Sequence, residues 1–175
     1  MPGNNQPIIE FYSGRSTDSE GRWLRDIRGW GFDRLESVHD YIQWLFPLRV
    51  RSQFNPDAPL LDETTINRFL GDEALRRELR ASFEQMLAFY GFALSEEKGL
   101  PTVETGPDWE ARQRQWLYFG DHNLLRITRI LTCLGTLGLA DDAQAFLAAL
   151  ERVCADDPGV VVGERTLGFW RAAIP

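Results

Sequence analysis

Basic charge is in deficit in this chain: 19 Lys and Arg face 26 Asp and Glu, for a net charge of −7. A general nucleic-acid-binding surface needs a basic face that releases counterions from phosphates, so no nucleic-acid partner is expected. Cysteine is scarce, and Cys133 and Cys154 make neither a disulfide framework nor a zinc pattern. Both read as buried, reduced thiols that behave as small apolar groups. Long apolar runs are missing as well. Arg or Gln soon interrupts each hydrophobic stretch, well short of the ~20 apolar residues that cross a bilayer as a helix. Residues 1–6 show no basic-then-apolar leader pattern. A cytoplasmic protein without a transmembrane segment is the expectation.

Alternating apolar and polar residues, the mark of a half-buried strand, are lacking outside residues 160–162, and no repeat of fixed period appears. No Gly-x-Gly-x-x-Gly, Gly-x-x-x-x-Gly-Lys or Gly-x-Ser-x-Gly spacing occurs, so the common nucleotide-binding and hydrolase readings lose their support. No cofactor is implied and no residue stands out as catalytic. The sequence favours a non-enzymatic role.

What the chain does have is apolar mass in helical register. Its 175 residues are 43% hydrophobic, with six Trp and eleven Phe, and a chain of this length buries roughly 70% of its unfolded surface in one core. Residues 8–12 are apolar but too few to assign, and residues 13–21 are a polar loop. Trp23, Leu24, Ile27 and Trp30 recur at helical spacing before Gly29 and Gly31 close the segment. The densest aromatic and apolar content lies in residues 36–48. There Leu35, Val38, His39, Ile42, Leu45 and Phe46 fall on one stripe at about 100° per residue. That predicts one continuous helix from Asp33 to Pro47, with Asp33 and Glu36 as a capping-box-like start. Tyr41 and Trp44 lie off the stripe.

Residues 49–59, with Asn55-Pro56 and Ala58-Pro59, should be extended and irregular. A short helix is predicted over 62–70, then a longer one capped by Asp72, carrying Leu75, Leu79, Phe83, Met86, Leu87 and Tyr90 and stopped by Gly91. Residues 95–106 read as a mobile loop, after which Pro107 opens a helix with Trp109, Trp116 and Leu117 turned inward. Asp121 caps the next, and Asp141 or Asp142 one that Pro158 and Gly159 break. A last helical turn covers 166–174. The fold class is all-α: a single irregular multi-helix bundle domain over 1–175.

The helix after Asp121 carries an apolar stripe of Leu124, Ile127, Ile130, Leu131, Leu134 and Leu137, and opposite it a line of His122, Arg126, Arg129 and Cys133. Two guanidinium forks in succession can grip a carboxylate or phosphate in bidentate fashion. The alternatives are a solvated face, or pairing of Arg126 and Arg129 with Glu36, Asp40 or another acid. The chain has two histidines, each beside an acid: His39 before Asp40, and His122 after Asp121. Three readings follow. In the first, His39, Tyr41, Trp44, His122, Arg126 and Arg129 line a pocket for a small-molecule or peptide ligand with an acidic group. In the second, His39 and His122 hold a metal or haem iron, perhaps in an enzyme. Neither has a further ligand at H-E-x-x-H spacing, and a hydrogen-bonded core histidine is the plainer reading of His39. His39-Asp40 also resembles the start of an HD phosphohydrolase motif, for which two histidines are too few. In the third, the chain is an interaction scaffold using Trp44 or residues 55–59. The six tryptophans read as core and helix-contact material, with a ligand cage as the alternative.

Longer strings carry a family resemblance. His39 with Tyr41-Ile42-Gln43-Trp44-Leu45-Phe46-Pro47-Leu48, Met86-Leu87 with Phe89-Tyr90-Gly91, and His122-Asn123 with Leu125-Arg126-Ile127-Thr128-Arg129-Ile130-Leu131 and Leu134-Gly135 stand in that order, with Trp109 and Arg112 between. Together they resemble the opioid growth factor receptor conserved region, over roughly residues 10 to 174. The resemblance implies an α-helical domain unrelated to the seven-helix opioid receptors. In animal members it implies binding of an enkephalin-type peptide at nuclear or perinuclear membranes. The long repeat-bearing tail of animal members is not in this sequence, and a microbial member with the domain standing alone is expected. The family supplies no catalytic residue.

Overall fold

The computed structural model describes residues 6–156 and 162–175. The described residues form α1 (Pro7–Tyr12), α2 (Leu24–Arg28), α3 (Phe32–Ser37), α4 (Ile42–Leu45), α5 (Glu63–Gly71), α6 (Glu73–Tyr90), β1 (Phe92–Glu97), β2 (Leu100–Thr105), α7 (Trp109–Trp116), α8 (His122–Thr136), α9 (Ala140–Asp156) and α10 (Glu164–Ala173). They gather into two compact units, divided within α6 after Ser82. The predicted breakers Pro158 and Gly159, and most of the strand raised for 160–162, lie outside the described residues.

In the first unit, Pro7 opens α1, where its missing amide hydrogen costs nothing, and α1 buries Ile8, Ile9, Phe11 and Tyr12. Gly29 closes α2, and the Asp26 carboxylate accepts the Trp23 amide at 3.3 Å. The single helix expected from Asp33 to Pro47 is two helices. Gly31, not Asp33, precedes the first turn of α3 and supplies no side-chain cap. Val38 then turns extended (φ −93°, ψ 134°), and helical backbone resumes only at Ile42.

The break is set from outside the segment. Asp40 accepts Arg22 Nη1 on its carboxylate at 2.8 Å and Asn55 Nδ2 on its carbonyl at 3.0 Å. These two contacts hold Asp40 in the non-helical stretch. The orphan carbonyl of Leu35 at the end of α3 is taken by the Tyr41 hydroxyl at 2.9 Å. Restarting the helix shifts its phase. Trp44, which lies off the predicted stripe, is only 6% exposed and packs edge-on against Phe11 with ring centroids 5.4 Å apart. An exposed Trp44 as a docking anchor is thereby overturned.

After the irregular segment, Asp62 caps α5 by accepting the Thr65 amide at 2.7 Å, and Asp72 does the same for Ala74 in α6 at 3.0 Å. Hydrogen bonding from Thr65 holds the Asp62 carboxyl below its ordinary range. The sign follows: a carboxylate with a lowered folded pKa contributes stability above the unfolded value, and the contribution is lost as pH falls through the folded one. Asp62→Ala should cost about 1 kcal/mol at neutral pH. In urea melts the gap between variant and parent should close as pH drops below the ordinary Asp value of about 3.9.

In the second unit, Phe83, Met86, Leu87 and Tyr90 from α6 are buried, as their spacing of three and four predicts, and Phe89 is buried with them. Phe146 of α9 lies 5.5 Å from Phe83 and 5.7 Å from Phe92, and Trp116 of α7 lies 5.0 Å from Tyr90, ring centroid to centroid. Gly91 ends α6 at φ +94°. The mobile loop expected over 95–106 is instead an antiparallel hairpin, so the class is mostly helical rather than all-α. Lys98 (φ 53°) and Gly99 (φ 79°) form its two-residue turn, with the two positive φ values that match strand twist. Ser95 and Thr102 pair across it, their hydroxyls 2.7 Å apart. Pro101 is tolerated because a two-stranded ribbon is all edge. α9 packs on α8 and on β2, where Arg152 donates to the Val103 carbonyl at 2.6 Å. α10 packs on α8 through Trp170, whose indole donates to the Leu124 carbonyl at 3.1 Å. Among the described residues no helix is long and apolar enough to cross a membrane.

Candidate functional site

The six residues picked from the sequence divide evenly between the units. The second unit brings three of them together along α8. Its start is fixed by Asp121, whose carboxylate accepts the Asn123 amide at 2.8 Å. This acid is buried, and its other oxygen stands 3.8 Å from His122 Nδ1, beyond hydrogen-bond length. Leu124, Ile127, Ile130, Leu131, Leu134 and Leu137 are buried, as the stripe requires.

The polar line is withdrawn from water too. Arg126 is 5% exposed and donates to the Asn123 side-chain oxygen at 3.3 Å. Arg129 is partly buried, and desolvation pulls its guanidinium below its ordinary pKa while it remains charged. His122 is 40% exposed at its side chain. Water is met instead on the side of Leu125, at 59% exposed. The solvated-face reading of Arg126 is therefore overturned, and α8 presents a buried and a half-buried cationic fork headed by a part-exposed imidazole.

The first unit treats its three differently. Tyr41 is fully buried, its hydroxyl spent on Leu35 and its ring 5.4 Å from that of Trp30. Trp44 is core. Its indole nitrogen and the Gln43 side-chain oxygen are buried without a hydrogen-bond partner among the described residues. His39 sits on the non-helical stretch and is exposed, so it is not the core histidine that the stripe predicted. Neither unit by itself gathers three metal-ligating side chains among the described residues.

The two thiols are free, Cys133 buried and Cys154 half-buried. Burial pushes the Cys133 thiol far up, and burial with the nearby Glu151 carboxylate pushes Cys154 up to about 11. Thiolates are the reactive form. A disulfide-exchange reagent at neutral pH should therefore leave Cys133 untouched and modify Cys154 slowly, with both thiols released promptly in denaturant.

Sequence reasoning passed over one constellation. Arg15, Arg25, Arg28 and Arg68 surround a cleft of about 490 Å³ in the first unit, walled also by Trp23, Leu24 and Leu75. They are dispersed over some fifty residues without common spacing, so no motif could flag them.

Comparison with known proteins places these features in a family. Residues 9–166 match the family described as the opioid growth factor receptor (OGFr) conserved region. The chain is 40% identical over 150 residues to the opioid growth factor receptor of Homo sapiens, covering 83% of this chain and 21% of that protein. It is 44% identical over 140 residues to opioid growth factor receptor-like protein 1 of Mus musculus, covering 77% of this chain and 29% of that one. The chain thus spans less than a third of the curated relatives it matches. No solved structure gives a significant match. The α6 end with its Gly91 and the α8 line lie inside the matched span, and the chain belongs to the opioid growth factor receptor conserved-region family.

Proposed function

We propose that the chain is a single non-enzymatic binding domain that takes a peptide or small ligand with an acidic group, with His122, Arg126 and Arg129 of α8 as the groups that hold the acid. The burial of Arg126 carries this reading. A guanidinium held away from water makes a stronger charge-assisted contact than one in solvent, and a ligand carboxylate can accept from two such forks. The relatives named as receptors support it, since the opioid growth factor of their name is a ligand to be bound. His39, Tyr41 and Trp44 lie in the first unit and are not assigned to this grip. Tyr41 and Trp44 act there as packing groups, because both are buried.

The test is calorimetric titration of the chain with an enkephalin-type peptide. Arg129→Gln should weaken binding by tenfold or more, as loss of a charge-assisted hydrogen bond of about 1.5–3 kcal/mol requires. Leu125→Ala, on the wet side of the same helix, should leave affinity unchanged. Equal affinity in Arg129→Gln and parent would contradict the assignment.

A further inference from the structure

We propose that the arginine-lined cleft of the first unit is a second binding site, one that takes a small carboxylate or phosphate carried on an aromatic body. It goes beyond the α8 assignment and shares no residue with it. At about 490 Å³ the cleft has the size of a small-molecule site. Its lining holds four arginines with Asp72 and Glu78, and Glu10 and Asp26 contact Arg15 and Arg25.

The arginines divide by how firmly they are held. Arg28 is built into the wall: Nη1 meets Glu78 Oε2 at 2.5 Å, and Nη2 donates to the Glu78 carbonyl and, at 3.3 Å, to Ser82 Oγ. Arg15 is gripped by both oxygens of Glu10 at 2.8 Å each. Arg25 and Arg68 are the adaptable pair. Their side chains are 74% and 61% exposed, and each has a single longer acid contact, Asp26 at 3.9 Å and Asp72 at 3.1 Å. Such surface pairs are weak and exchange readily for a ligand oxygen, which the planar fork accepts in bidentate fashion.

The aromatic requirement comes from Trp23. Its ring lies 5.0 Å from the Arg25 guanidinium, so a π-face and a cation stand side by side, with Leu24 and Leu75 as apolar wall. A bare anion would use the arginines alone, and a neutral aromatic would use Trp23 alone. An aromatic acid engages both.

The experiment follows the indole N–H resonance of Trp23 in the full chain, assigned through Trp23→Phe, during titration with phenyl phosphate, phenylacetate, inorganic phosphate and phenol. Saturable shifts are expected with phenyl phosphate, phenylacetate or both, the two arms telling phosphate from carboxylate, at an affinity at least tenfold above inorganic phosphate and phenol. Arg25→Gln/Arg68→Gln and the reversed Arg25→Glu/Arg68→Glu should each lower that affinity by tenfold or more with an unchanged melting temperature. No saturable shift with either aromatic acid, equal binding of inorganic phosphate, or full affinity in both double variants would overturn the proposal. None of these results bears on Arg129.

Discussion

Gly91→Ala is expected to lower the stability of the chain by about 2–5 kcal/mol, the sum of a strained backbone and an overpacked contact. Gly91 holds φ +94°, where a side chain is strained whatever the surrounding space. The space is also occupied: a Cβ there would meet the Arg112 Cβ at 2.9 Å and the Trp109 Cα at 3.1 Å. Neither atom is the free end of a flexible side chain, so α7 itself would have to move. A urea melt reads the loss as a lower midpoint at unchanged slope. Gly99, also at positive φ but with open space around its Cβ position, is the control. Gly99→Ala should lose only the backbone part, and equal losses at both positions would contradict the close approach assigned to Gly91.

That approach matters because of what α7 does for α6. The last carbonyls of a helix lack intrahelical donors. In α6 those of Phe89 and Tyr90 accept Arg112 Nε at 2.6 Å and the Trp116 indole at 2.9 Å. Arg112 also lies 4.8 Å from the Phe89 ring centroid, a cation on an aromatic face. Trp116→Ala should therefore cost about 3–5 kcal/mol for the emptied volume, with the freed Tyr90 carbonyl adding to the loss. Trp116→Phe should fall well short of that, because it keeps most of the ring packing against Tyr90 and loses one hydrogen bond of about 0.5–1.5 kcal/mol. Chemical denaturation of the two variants measures the split. A Phe variant as damaged as the Ala variant would mean that the hydrogen bond, rather than the buried ring, holds α7 in place.

The parts of the fold legible in the sequence are those decided locally. Asp72 and Asp121 cap the helices they were expected to cap, since an Asp ahead of an apolar-periodic run needs only the next few amides, and Asp62, read as the first residue of a short helix, caps α5. The apolar stripes of α6 and α8 were legible for the same reason: period alone places them. The break between α3 and α4 was not, because Arg22 and Asn55, far along the chain from Asp40, impose it. A stripe drawn through Val38 and His39 was therefore a coincidence of spacing. The hairpin was missed because its alternation is short, with Phe92, Leu94 and Val103 as its few apolar positions, and because its turn begins with Lys98 rather than Asn or Asp. Of the candidate site, the row along α8 was visible from spacing. That the row is dry on the side of Arg126 was not, since burial depends on what packs against a helix rather than on the helix itself.

The central functional claim is that the α8 cations receive the acid of a ligand. Its most direct test compares an enkephalin-type peptide bearing a free C-terminal carboxylate with the same peptide amidated, each titrated into the chain by calorimetry. The account predicts measurable binding of the free acid and at least tenfold weaker binding of the amide, a gap that shrinks in Arg129→Gln. Equal affinities for the two peptides, or no binding of either, would contradict it.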